Sequence, residues 1–182
     1  MSGLSLAERI LAIHEALTTV PHAFGGAIAL AYYAEPRATI DIDLNVFIPA
    51  ARYAEVATAL GRIGVATDDP EIARLVDRDG QARVLWDTTP VDLFFAYDPF
   101  HEAAGRARIV VPFGESTIPI LAVEHLIVCK VVFNRSRDWV DIEAVLALET
   151  PVDAAEVLRW VGRIAGDEDV RYNRIAALLT HR

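Results

Sequence analysis

The sequence predicts an α/β (α+β) fold, a mixed sheet with flanking helices and a helical C-terminal third, and three observations carry that expectation. Residues 39–48, Thr-Ile-Asp-Ile-Asp-Leu-Asn-Val-Phe-Ile, alternate with the two-residue period of a strand. Two further pairs of short β-like runs, 82–86 with 90–97 and 108–113 with 116–121, are each split by turn residues. From residue 123 onward the periodic segments are all helical.

Taken in order, residues 5–17 form an amphipathic helix, with Leu6, Ile10, Ile13 and Leu17 at helical spacing. Pro21 to Gly26 makes a turn, and residues 27–34 read as a short helix stopped before Pro36. The aspartate-bearing strand follows. Residues 50–63 are helical, with Tyr53, Val56 and Leu60 on one side and Glu55, Thr58 and Arg62 on the other. The acidic stretch 67–80 reads as a mobile loop around a short helix. The runs 82–86 and 90–97 form a hairpin through Asp87-Thr88-Thr89, and Gly114-Glu115 divides the last two strands. Helices are expected at 123–134, 139–148, 153–164 and near 170–179. With no internal repeat and no low-complexity linker, the chain divides into a sheet-bearing core at 1–122 and a helical region at 123–182 that completes the site.

Bulk properties narrow the function classes. Apolar residues make up 53%, yet the longest uninterrupted apolar stretch, Ala23 to Ala34, is twelve residues, far short of the roughly 20 needed to span a bilayer. The N-terminus carries charges throughout and lacks the pattern of a signal peptide. The single cysteine, Cys129, lies in an apolar run and has no intrachain partner, so a reducing cytoplasm is the expected location. A formal net charge of −9 excludes a broad basic surface for nucleic acid; such a partner would need a local patch. Arg135 and Arg137, with the only lysine, Lys130, are the densest basic cluster.

The chemistry is carried by carboxylates. On the strand at 39–48, Ile40, Ile42, Leu44, Val46 and Ile48 share one face while Asp41, Asp43 and Asn45 share the other. Like charges side by side repel and raise one another's pKa, and a hard cation such as Mg²⁺ offsets that directly; the alternative is a merely solvated face. Asp92 stands alone in the apolar run Val91-Asp92-Leu93-Phe94-Phe95, an unfavourable place for a carboxylate unless it is paired or metal-bound, or caps a turn. If the two strands are neighbours, three carboxylates converge, enough for two metals about 4 Å apart that serve in-line phosphoryl displacement. Gly25-Gly26 directly precedes a helix, where bare backbone N–H groups attract phosphate, although such a pair is also an ordinary turn. His22 and His125 read as structural, and Trp86, Trp139 and Trp160 as packing.

Gly25-Gly26, the run 37–44 with Asp41 and Asp43, and Asp92 together resemble the nucleotidyltransferase pattern of the DNA polymerase beta superfamily. More narrowly, residues 118–121 leading into 124–130, then Arg135-Ser136-Arg137-Asp138-Trp139-Val140-Asp141, resemble the AbiEii-type nucleotidyltransferases of toxin–antitoxin and phage-defence systems. The resemblance covers residues 20–148 and implies a nucleotidyltransferase-like mixed sheet. It implies that Asp41, Asp43 and Asp92 bind two Mg²⁺ ions, with Mn²⁺ as a possible substitute, and that Asp92 accepts the proton of the attacking hydroxyl. Lys130, Asp138 and Asp141 then belong to the active site, with Lys130 near the triphosphate; Gly25, Gly26, Arg37 and Arg135 complete the nucleotide-binding candidates. The implied reaction moves a nucleoside monophosphate from an NTP onto a tRNA 3′ end or a protein hydroxyl, as the toxin-type member of a pair with a cognate antitoxin. Two alternatives stay open: a degenerate fold acting as a binding module or antitoxin, and a D-x-D phosphatase, which would carry Thr or Val where this chain has Asn45.

Overall fold

In the computed structural model of the chain, residues 3–148 and 150–180 are described. The first helix, α1 (Leu6–Ala16), is started by Ser5, which accepts from the Glu8 backbone while the Glu8 carboxylate accepts from the Ser5 backbone N–H. Ile10, Ile13 and Leu17 bury the predicted stripe.

The segment expected as a turn contains a strand, β1 (His22–Phe24), leading through Gly25 into the short α2 (Gly26–Leu30). Three residues are too few to display a period, and β1 exists because it has partners on both sides. It pairs antiparallel with β2 (Ile42–Pro49) and parallel with β6 (Ser116–Ile120). Because β2 begins at Ile42, Ile40 falls outside it and is 72% exposed, a correction to the five-residue apolar face. Ile42, Leu44, Val46 and Ile48 are buried as expected.

After a 3-10 turn at Ala50–Arg52 comes α3 (Tyr53–Gly61), which buries the predicted Tyr53, Val56 and Leu60. The acidic stretch is mostly the ten-residue helix α4 (Pro70–Asp79), not a mobile loop. Asp69 caps its start, Pro70 occupies the first turn, and Gly80 closes it at φ 67°. The hairpin β3 (Gln81–Trp86) and β4 (Thr89–Ala96) follows, and α5 (Pro99–Ala107), absent from the sequence reading, starts at an Asp98 cap. β5 (Ile109–Phe113) pairs with β6. Four helices complete the described residues: α6 (Val123–Phe133), α7 (Ser136–Ala147), α8 (Ala154–Ala165) and α9 (Val170–Thr180).

The six strands form one mixed sheet in the order β3-β4-β2-β1-β6-β5. β2 and β4 run parallel at its interior, which sets Asp43 directly beside Asp92 and Leu44 beside Leu93. Apolar on nearly every side, α6 packs against α2, α7, α8 and α9, as a helix without a polar face must. Trp86, Trp139 and Trp160 are buried, as their packing role requires. Among the described residues no helix is long and apolar enough to cross a membrane.

Candidate active site

Asp43 and Asp92 are register partners on adjacent parallel strands, and directly opposed residues project from the same face of a sheet. Asp41 lies just before β2, two residues from Asp43. Burial raises the Asp43 pKa from its ordinary value, the charge of Asp92 raises it further and Asp41 adds to this, while Lys130 and Arg135 oppose them. At Asp43, burial and the neighbouring acids thus outweigh the nearby cations.

Gly25 leaves room for Asn45, whose Nδ2 a Cβ there would meet at 2.7 Å, and Gly26 is explained by the Asp43 carboxylate. Gly25 donates its N–H to the Asp43 carbonyl at 2.9 Å. Gly26 adopts φ +49°, and a Cβ there would stand 1.8 Å from Asp43 Oδ2. The chain can enter α2 against the carboxylate only without a side chain.

Across β3, Arg83 is the register partner of Asp92. Its Nε and terminal nitrogen donate to the two Asp92 oxygens, both at 2.7 Å, and the same guanidinium lies 3.7 Å from Asp41 Oδ2. Hydrogen bonding to Asp92 raises the Arg83 pKa above its ordinary value. Sequence reasoning missed this arginine. A two-residue turn closed by Trp86↔Thr89 places residue 83 opposite 92, whereas the three-residue turn expected from the sequence shifts the register by one and puts residue 83 on the other face.

The helical wall is a second cluster. Lys130, buried on α6, donates to Asp141 Oδ2 at 2.5 Å and lies 3.8 Å from Asp138 Oδ1. Arg37 grips Asp141 with both nitrogens, at 3.0 and 2.9 Å. Burial pushes the Asp141 pKa up, but the hydrogen bonds and charges of Arg37 and Lys130 outweigh it and hold the carboxyl below its ordinary value. Asp138 accepts from the Arg135 backbone at 3.1 Å and from Arg135 Nε at 2.8 Å. Three residues apart on α7, Asp138 and Asp141 are both buried, so they are not a solvated acidic helix start.

The two clusters face one cavity of about 670 Å³, whose lining includes Gly26, Arg37, Asp41, Asp43, Asp92, Lys130, Arg135, Arg137 and Asp138. Gly25 and Asp141 are not part of that lining. The cavity also contains Phe94, two residues beyond Asp92 on β4, and Phe133, whose ring meets Phe94 at 5.7 Å and carries the Arg135 guanidinium at 5.1 Å. Cys129 lines it with a thiol that burial pushes up to about 12, so it is a neutral wall and not a nucleophile. His22 is buried, with its pKa lowered to about 4 by burial, and His125 is buried as well; both are structural in placement.

The donor chemistry of Asp41, Asp43 and Asp92, carboxylate oxygen without nitrogen or sulfur, suits a hard divalent cation. The expectation that the three converge on one point is corrected in one respect. Among the described residues no group of three or more His, Cys, Asp or Glu side chains is gathered to hold an ion, and both oxygens of Asp92 accept from Arg83.

Comparison with known proteins supplies the family. Residues 9–180 match the model of the nucleotidyl transferase AbiEii toxin, type IV toxin–antitoxin system. Among solved structures, the solution structure of the antibiotic-resistance factor ANT(2″)-Ia is similar at a TM-score of 0.61 and 16% identity, covering 96% of this chain and 95% of that one. The crystal structure of ANT(2″)-Ia in complex with adenylyl-2″-tobramycin gives 0.53 and 16%, covering 96% and 97%. At that identity the likeness is one of fold. No curated protein matches the chain.

Proposed function

We propose, because the chain belongs to the nucleotidyltransferase AbiEii toxin family of type IV toxin–antitoxin systems, that it transfers a nucleoside monophosphate from a metal-bound NTP to an acceptor hydroxyl, releasing pyrophosphate, as the toxin component of such a system. It is a nucleotidyltransferase by family, which sets aside the D-x-D phosphatase alternative. The finer reading assigns a tRNA 3′ end or a protein hydroxyl as acceptor, a cognate antitoxin as partner and the cytoplasm as location. It also takes residues 1–122 as the core and 123–182 as the helical region that completes the site.

One observation carries the reading. Asp43 and Asp92, in register on neighbouring parallel strands, open with Asp41 onto the same cavity as Lys130 and Arg135. Three acids with cations across a shared space suit a substrate that brings both a metal and a triphosphate. Two bound Mg²⁺ ions, or Mn²⁺ in their place, would neutralise charge on the attacking and leaving oxygens of an in-line displacement. Asp41, Asp43 and Asp92 would hold them, and Asp92 would accept the proton of the attacking hydroxyl.

Lys130 presents a compact ammonium to the triphosphate, oriented by Asp141 and Asp138. Arg37 steadies Asp141 while lining the cavity, and Arg135 and Arg137 stand on its rim as further phosphate contacts. Gly25-Gly26 lets the backbone come close to Asp43 and to a bound nucleotide.

The reading is tested by incubating the purified protein and its Asp41→Ala variant with Mg²⁺, each labelled NTP, and total RNA or candidate protein acceptors. Label transfer that requires Asp41 is expected. No transfer to any acceptor, or a variant as active as the parent chain, overturns it.

A further inference from the structure

We infer that Arg83 is a built-in counter-cation that holds the carboxylate cluster in the absence of substrate and must leave Asp92 before a metal ion can take its place. The inference rests on the metal-dependent reading above and goes beyond it, since nothing in that reading assigns Arg83 a role.

Four observations carry it. The position is fixed by the fold: Arg83 and Asp92 are paired across the β3–β4 ladder, so the guanidinium faces that carboxylate whenever the sheet is formed. The contact is a two-point one, 2.7 Å at each nitrogen, and it uses both Asp92 oxygens that would otherwise be free to ligate. The same group reaches toward Asp41 at 3.7 Å, so one guanidinium bridges two of the three proposed metal ligands. Finally, three of the other cations that line the cavity are already committed, Arg37 and Lys130 to Asp141 and Arg135 to Asp138.

Arg83 is also able to leave. β3 alternates exposed Gln81, Arg83 and Leu85 with buried Ala82, Val84 and Trp86, so the arginine stem lies on the open face and its side chain is 56% exposed. With its arginine half in water the pair exchanges more readily than a buried one, and a divalent ion brings twice the charge. In the substrate-free protein Arg83 offsets the repulsion among the acids. When metal and nucleotide arrive together, it is displaced toward the cavity it already lines, where the triphosphate offers it new acceptors. Free metal without nucleotide is thereby resisted.

The test is Mn²⁺ binding without nucleotide, followed by the electron paramagnetic resonance of the unbound ion, on the whole chain and on Arg83→Gln, Arg83→Lys and Asp43→Asn. Removing the competing charge is expected to tighten Mn²⁺ binding by up to roughly fivefold in Arg83→Gln, the upper end of the range of an exposed ion pair. Arg83→Lys, which keeps the charge but not the fork, should fall between. Equal or weaker binding by Arg83→Gln, with Asp43→Asn still abolishing it, overturns the inference and leaves the metal-dependent reading standing. Binding that is absent in every protein, or indifferent to Asp43, overturns both. Should Arg83→Gln fail to fold by circular dichroism, Arg83→Lys decides alone: any tightening supports the inference and none defeats it.

Discussion

Asp141 and Asp92 are both aspartates gripped at two points by an arginine, and they differ in what surrounds them. The Asp141 side chain is 5% exposed and adds Lys130, equally buried, to Arg37. Asp92 is 20% exposed and its arginine 56%. A charge removed from water is held only while its partners stay, because breaking the pair leaves an uncompensated ion in a poor solvent. Where water can replace the partner, the same geometry is worth less and exchanges more readily. The helical cluster is thus a framework, and the cluster at the sheet is a place where one cation can be traded for another.

The sharpest way to break that contrast is Asp141→Asn. It should destabilise the chain by about 3–5 kcal/mol, the usual result of removing one member of a buried pair, measured by urea unfolding with an unchanged slope. A loss below about 1 kcal/mol would make the helical cluster no more structural than the other.

Asp43→Asn probes the opposite side. Nucleotidyl transfer from labelled NTP should fall by about 10²–10³-fold, the scale on which a single charge-stabilising group is felt. Stability should hold or improve, since burial and neighbouring acids already disfavour this carboxylate. Loss of stability with intact transfer would reverse the roles assigned to the two clusters.

Gly26→Ala tests whether that glycine serves the carboxylate. The φ of +49° alone costs about 1–3 kcal/mol in a residue with a side chain, to be read from thermal unfolding. The new Cβ must also displace Asp43, so transfer should drop with stability. In the double variant with Asp43→Ala, which removes the clashing carboxylate, part of the stability should return.

The smallest effect is a pair of opposite pH dependences in metal-free buffer with chelator. Asp141 has a lowered pKa, so its stabilisation is present above the ordinary carboxylate value of 3.8 and is lost as pH falls through its folded value. Asp43 has a raised pKa, so its protonated form favours folding and that contribution disappears as pH rises from 3.8 through its folded value. Urea unfolding over a pH series should therefore show Asp43→Asn gaining on the parent chain as pH rises. The deficit of Asp141→Asn should shrink as pH falls.

Much of the site could be read from alternation alone. Ile42, Leu44, Val46 and Ile48 against Asp43 defined which side of β2 is buried, and the spacing of Asp138 and Asp141 put them on one side of α7. The cap and proline signals of α4 and α5 were present in Asp69-Pro70 and Asp98-Pro99, but acidic composition in the first case and a short, weakly periodic segment in the second concealed them. β1 had no local signal to find. Arg83 was hidden by a single residue of turn length.

What the sequence determined by itself was local: which residues alternate, which helices are amphipathic, and where two strands fold back on each other. These follow from the 2.0 and 3.6 periods and need no distant partner. Which strand lies beside β2, whether residue 83 or its neighbour faces Asp92, and that Lys130 is walled in with Asp141 and Arg37 were decided by packing. Residues up to 104 positions apart in the chain meet there, and a one-residue slip in register exchanges every face.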